Sequence, residues 1–246
     1  IMSISFTSKE FYYYAGSTIR VALFLAAIFL ADALLWMLLF SDTTAIGTAD
    51  IFWVFYLHLS ATITALACYF LMSMSSLWLL LSKKSFFAPV IAMASAPTGF
   101  IMSILALGTG ALFGRPVWGS YWVWDARLSG LLILLFFFAA FLTFAAPRGQ
   151  KFRRHTDVRA AVSALSGIFL IPLFYGLFDL LAPMKHELDN ILVASNGVDP
   201  HILIVSFTIS LVCYATAMIL ARSRTIILER DHRSAWAQDE ALEGKL

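Results

Sequence analysis

Apolar positions along this chain fall in long unbroken runs, not in the alternation of a strand or the one-sided stripe of a surface helix. Six runs reach the roughly 20 residues that a helix needs to cross the ~30 Å hydrocarbon core of a bilayer. They cover about 21–40, 51–81, 86–113, 128–146, 160–182 and 201–221. The second and third exceed one crossing, which tilt or a partly exposed end accommodates. Lipid does not tolerate unpaired backbone groups, so each run is read as helix. The first run is longer than the ~7–15-residue core of a signal peptide and lacks a clear cleavage site, so it is expected to be a retained anchor. The pattern predicts an all-α fold: a polytopic membrane protein with six transmembrane helices, forming a single membrane domain over residues 1–246.

Composition strengthens this reading. Of the 246 residues, 61% are hydrophobic and only 13% charged, against ~25% charged in ordinary soluble domains. The mean hydropathy is +0.84. There is too little polar surface to cover a water-soluble globule, which excludes an ordinary soluble enzyme, a disordered chain and a nucleic-acid binder with a basic face. The net charge of +2 names no partner. The two cysteines, Cys68 and Cys213, lie inside apolar runs, so they do not form a disulfide framework.

Charge placement predicts the orientation. Fourteen of the 17 Lys and Arg residues fall in 1–20, 82–85, 147–159 and the tail after 221; only Arg115, Arg127 and Lys185 fall in the other loops. By the positive-inside bias both termini face the cytoplasm and loops 41–50, 114–127 and 183–200 face outward. The membrane expected is the bacterial cytoplasmic (inner) membrane; the alternative is the mitochondrial inner membrane.

The outward loop 114–127 is tryptophan-rich: Trp118, Trp122 and Trp124 fall within seven residues, with Tyr121 among them. If extended, Trp118, Ser120, Trp122 and Trp124 share a face; if helical, Trp118 and Trp122 stack at i, i+4. Either form presents a broad, stiff aromatic surface whose indole N–H groups can still donate. An interfacial aromatic belt is the plain alternative. Of five histidines, His155 and His232 fall among cytoplasmic basic residues. His58 lies seven residues into the second run, roughly 10 Å below its outer start at ~1.5 Å per residue, beneath Phe52, Trp53, Phe55 and Tyr56. An ionisable residue at that depth points to function. His186 lies in the loop after the fifth run, and His201 opens the sixth.

Flat apolar surface and neutral imidazoles therefore map to one membrane face. Imidazole nitrogen is a common metal ligand, and an iron porphyrin asks for axial nitrogen together with flat apolar contact. No zinc-type ligand cluster, nucleophilic triad or phosphate loop is evident, so binding and transfer is favoured over catalysis. Arg115, or less favourably Arg127, suits a propionate, and Asp125 suits either the site or an ion pair that shapes the loop. Asp32 and Asp179 are acids inside spans, expected to face the bundle interior or a partner.

The run Trp118-Gly-Ser-Tyr-Trp-Val-Trp-Asp-Ala-Arg-Leu128, with Gly114-Arg-Pro-Val before it, resembles the CcmC family of haem-handling proteins in cytochrome c maturation. The resemblance extends through the six-span plan over about residues 19–230. It implies haem b held at the outer face by the tryptophan-rich loop. It also implies axial ligation by His58, in Tyr56-Leu57-His58, and by His186, with His201 as the alternative. It further implies delivery to a periplasmic CcmE-like haem chaperone, with CcmA/CcmB-like ABC-type ATPase and membrane subunits and a small CcmD-like subunit as partners. The rival readings are a haem lyase joining haem to a protein and a cofactor-free membrane scaffold subunit.

Overall fold

The computed structural model describes residues 7–40, 49–81, 86–124, 126–145, 161, 164–165, 200–231, 234, 236 and 238–239. They form five long helices: α1 (Ser8–Phe40), α2 (Ala49–Leu81), α3 (Phe87–Trp118), α4 (Ala126–Ala145) and α5 (Pro200–Asp231). All five are long and apolar enough to cross a bilayer. The predicted span 160–182 lies outside the described residues except Ala161, Ala164 and Leu165, which are helical. Tyr69 and Ser73 of α2 both donate to the Ala164 carbonyl, so Ala164 lies against α2.

Two antiparallel pairs build the molecule. α1 runs against α5, and α2 runs against α3; α5 joins the pairs by packing on both α2 and α3, and α4 packs on α3. Side-chain bonds fix the register. Ser8 donates to Asp231 (2.6 Å), Ser210 to the Ala26 carbonyl (2.9 Å) and Ser206 to Asp32 (2.6 Å). Thr208 of α5 donates to Ser60 of α2 (3.0 Å), and Arg230 donates to the Phe86 carbonyl before α3 (3.2 Å). Residues 8, 81, 87 and 231 thus gather at one end of the bundle, and residues 40, 49, 118, 126 and 200 at the other. Asp32 faces the bundle through Ser206, as expected for an acid inside a span; Asp179 lies outside the described residues.

Small residues let these helices approach closely. Ala61, Ala65, Ala92, Ala94, Ala96 and Ala106 are buried almost completely, and Met72 and Phe138 fill the space between. With no hydrophobic drive between helices in lipid, such packing carries much of the association. Other buried hydroxyls return to their own helix: Ser95 donates to the Ile91 carbonyl, Ser103 to Gly99 and Thr64 to Ser60, at 2.7–2.8 Å. That leaves them satisfied without water. Among the described helices α1 is the least buried, with Phe24, Leu34, Leu35 and Leu38 exposed, as a lipid-facing helix requires.

The helices overrun the apolar runs at one end. α1 begins at Ser8 rather than near residue 21, and α5 continues to Asp231 rather than stopping near 221. Thr7 and Glu10 form a reciprocal cap: Glu10 accepts from the Thr7 amide (2.9 Å), and Thr7 accepts from the Glu10 amide (3.2 Å). This is a capping box that starts a helix well ahead of the membrane. The two overhangs then pair, with Tyr12 buried against Leu228 and Trp236.

Candidate functional site

At the end where residues 118 and 126 meet, α3 closes at Trp118. Gly119 takes the left-handed conformation (φ 74°) and its amide donates to the Arg115 carbonyl (2.8 Å). Only glycine adopts this cap without strain. The loop predicted over 114–127 therefore begins as helix. Trp118 closes α3, and 120–124 turn away from it. Neither a fully extended nor a fully helical loop describes it. Ser120 pins the turn: its hydroxyl donates to the Trp122 carbonyl (3.0 Å) and accepts from the Trp122 amide (3.3 Å).

The three indoles divide their work. Trp118 packs edge-on against Phe113 (centroids 6.3 Å, 83°), which lies on Phe55 of α2 (4.9 Å). Trp122 and Trp124 meet edge-to-face at 5.4 Å. Trp124 is 72% exposed. Trp122 is half-buried, and its Nε1 is buried with no hydrogen-bond partner among the described residues. A buried donor left open in this way costs about 1–3 kcal/mol, so the turn holds a donor in wait. Arg115 donates to the Tyr121 hydroxyl and lies over the Tyr121 ring at 4.8 Å. Both side chains are exposed. Arg127 opens α4 and is exposed.

His58 belongs to the same end. Its ring lies against α3, where Nδ1 meets the Ala106 carbonyl at 2.7 Å. A carbonyl only accepts, so Nδ1 carries the proton and the lone pair sits on Nε2, the form in which imidazole coordinates a metal. Gly110 makes room for the ring: a β-carbon there would stand 2.9 Å from His58 Cε1, 3.0 Å from Nδ1 and 3.1 Å from Leu128 of α4. One residue without a side chain thus joins the histidine, α3 and the start of α4. Gly110→Ala is expected to displace the ring and weaken any ligand held through His58 by ~10–100-fold, the usual cost of disturbing a ligand's supporting partner. Titrating the purified variant checks this; parental affinity would remove Gly110 from the support.

The structure thus brings His58, Trp118, Trp122, Trp124, Tyr121 and Arg115 to one end of the bundle. His186 and Asp125 lie outside the described residues. His201 is in the first turn of α5, at the same end, but its side chain is outside them too. Among the described residues no group of three or more His, Cys, Asp or Glu is placed to hold a metal ion. Phe113, Ala106 and Gly110 are the parts that sequence reading passed over; Phe55 was read only as one of the aromatic residues above His58, and its contact with Phe113 was not foreseen. Gly110 follows Gly108 and Thr109 in an apolar run, and nothing in that pattern separates a glycine facing lipid from one facing a histidine.

A family model described as heme exporter protein C, CcmC, matches residues 2–238. A heme exporter protein C of Paracoccus denitrificans is 37% identical over 90 residues, 36% of each chain. In that comparison the chain spans about a third of the relative's length. The heme exporter protein C of Bradyrhizobium diazoefficiens is 31% identical over 187 residues, 74% of this chain and 68% of that protein. The one from Haemophilus influenzae is 26% identical over 223 residues, 87% of each.

Proposed function

Since the chain belongs to the heme exporter protein C (CcmC) family, we propose that it handles haem for cytochrome c maturation. In this reading it binds haem b as cargo at the outer face of the bacterial cytoplasmic membrane and delivers it to a CcmE-like chaperone. CcmA-, CcmB- and CcmD-like subunits are its partners, and both termini face the cytoplasm. The observation that carries this reading is the joining of His58 to the tryptophan turn through Phe55, Phe113 and Gly110.

The residues suit the cargo. His58 offers Nε2 to the iron, with Nδ1 tied to the Ala106 carbonyl. Trp118 and the Trp122–Trp124 pair offer apolar faces to the macrocycle. Trp122 Nε1, without a hydrogen-bond partner among the described residues, offers a donor to a propionate carboxylate. Arg115, poised on Tyr121, takes the other propionate. Asp125 belongs to the same proposed haem-binding set, and His186, or alternatively His201, supplies the second axial nitrogen. An exposed turn suits cargo that must leave as well as arrive.

Protein purified from haem-replete cells is expected to show a Soret band. Trp122→Phe keeps the apolar ring and deletes the donor, so haem retention should fall about tenfold or more, equivalent to ~1.4 kcal/mol, close to the lower end of what a hydrogen bond to a charged group contributes. Parental protein without a Soret band would overturn the reading in favour of a cofactor-free scaffold.

A further inference from the structure

At the opposite end of the bundle Arg224 of α5 stands apart from the other described cations. Its guanidinium lies over the ring of Tyr12 at 4.0 Å. Tyr12 is itself buried at 1% exposure. Gly16, one turn further along α1, leaves room for it: a β-carbon there would stand 3.2 Å from Nη1 and 3.3 Å from Cζ. Arg224 Nε is buried, and among the described residues it has no hydrogen-bond partner and no carboxylate pairs with the group. Arg230, two turns on, differs, because it donates to the Phe86 carbonyl. Two acids at this end are engaged elsewhere, Glu10 with Thr7 and Asp231 with Ser8. A planar cation with a fixed platform and an unused donor fork is built to receive an anion.

The surroundings say which anion. Arg20 is four residues from Gly16, hence on the same face of α1, and is exposed. Directly beyond it the exposed side chains become apolar, Val21 and Phe24 on α1. Arg224 against Gly16 and Arg20 one turn further along α1, where the apolar surface begins, match a phosphate with hydrocarbon chains attached. We propose that Tyr12, Gly16, Arg20 and Arg224 form a binding site for the phosphate headgroup of an anionic phospholipid in the leaflet opposite the tryptophan turn. Basic pockets between helices at a membrane interface recognise such headgroups. The stack on Tyr12 spares the arginine the entropy of ordering on binding, and the lipid chains continue along α1. The site rests on the membrane-spanning architecture and is independent of haem.

The test uses the full chain in nanodiscs made from an equal mixture of phosphatidylcholine and phosphatidylglycerol, with retained lipid read by native mass spectrometry after release into detergent. The parental protein should retain phosphatidylglycerol preferentially. Arg224→Gln should lower that preference about fivefold, equivalent to ~1 kcal/mol for one arginine near a charged headgroup. Arg20→Gln, on an exposed side chain that folding does not need, should lower it in the same direction and decides the matter if Arg224→Gln does not fold. Unchanged preference in the variants overturns the site. Displacement of the phosphatidylglycerol by millimolar inorganic phosphate overturns the lipid source and assigns the same arginines to a soluble phosphate.

Discussion

His58→Ala is expected to abolish the haem signature of the purified protein, with retention down by at least ~100-fold, the upper end of what disturbing a metal ligand's support alone costs. The imidazole is the described group that offers nitrogen to iron, and its ring is held from two sides. The Ala106 carbonyl fixes Nδ1 as the donor, and Gly110 leaves the space that the ring occupies. Alanine removes the nitrogen and opens a hole beside Gly110, while the polar bond to α3 disappears with it. Added imidazole should enter that hole and restore part of the Soret band, because what was lost is a ligand and not the fold. Thermal unfolding of the haem-free variant should stay close to parental, since His58 is only half-buried. A spectrum unchanged by the substitution would take His58 out of the site. A loss that imidazole does not repair, coupled to a lower melting temperature, would make His58 a packing residue.

The membrane class was legible because hydrocarbon thickness imposes one length on every spanning helix. The aromatic turn was legible as a composition: Trp118, Trp122 and Trp124 stand too close together to overlook. Its form was not. The apolar run stops at 113, so the loop was drawn from 114, yet α3 continues through Pro116, because a proline near the last turn forfeits only one backbone bond. The helix ends where Gly119 can turn left-handed. The early start of α1 was written in Thr7-Ser-Lys-Glu10, a four-residue signal that a search for 20 apolar residues does not see. His58 was legible by its depth, but Gly110 and Ala106 were not, because their role depends on the register of α2 against α3. His186 and Asp125 lie outside the described residues, so the second axial ligand rests on the family resemblance.

Register also decides the second large effect, at Gly99. A β-carbon at this position would sit 2.1 Å from Phe138 Cζ and 2.4 Å from Cε1, far inside the ~3.5–4.0 Å at which two carbons attract. The ring has nowhere to retreat. Phe138 is 0% exposed and stands edge-on to Tyr69 at 5.5 Å and 86°, and Tyr69 is tied by its hydroxyl to Ala164. Gly99→Ala should therefore destabilise by ~3 kcal/mol, at the upper end of overpacking effects, and Gly99→Val by more. Gly108→Ala, in the same helix, supplies the control. A β-carbon at Gly108 meets nothing within 4 Å, so helix propensity alone should make that change neutral or stabilising by up to ~1 kcal/mol. Phe138→Ala alone should cost ~3–5 kcal/mol for its cavity. Combined with Gly99→Ala it should cost less than the sum, because the new methyl group occupies space that the ring gave up. Unfolding in detergent of the four variants and the double mutant closes the cycle. Equal melting of Gly99→Ala and Gly108→Ala would show that α3 and α4 do not approach as closely as described, and would undo the packing that carries Leu128 to Gly110 and His58.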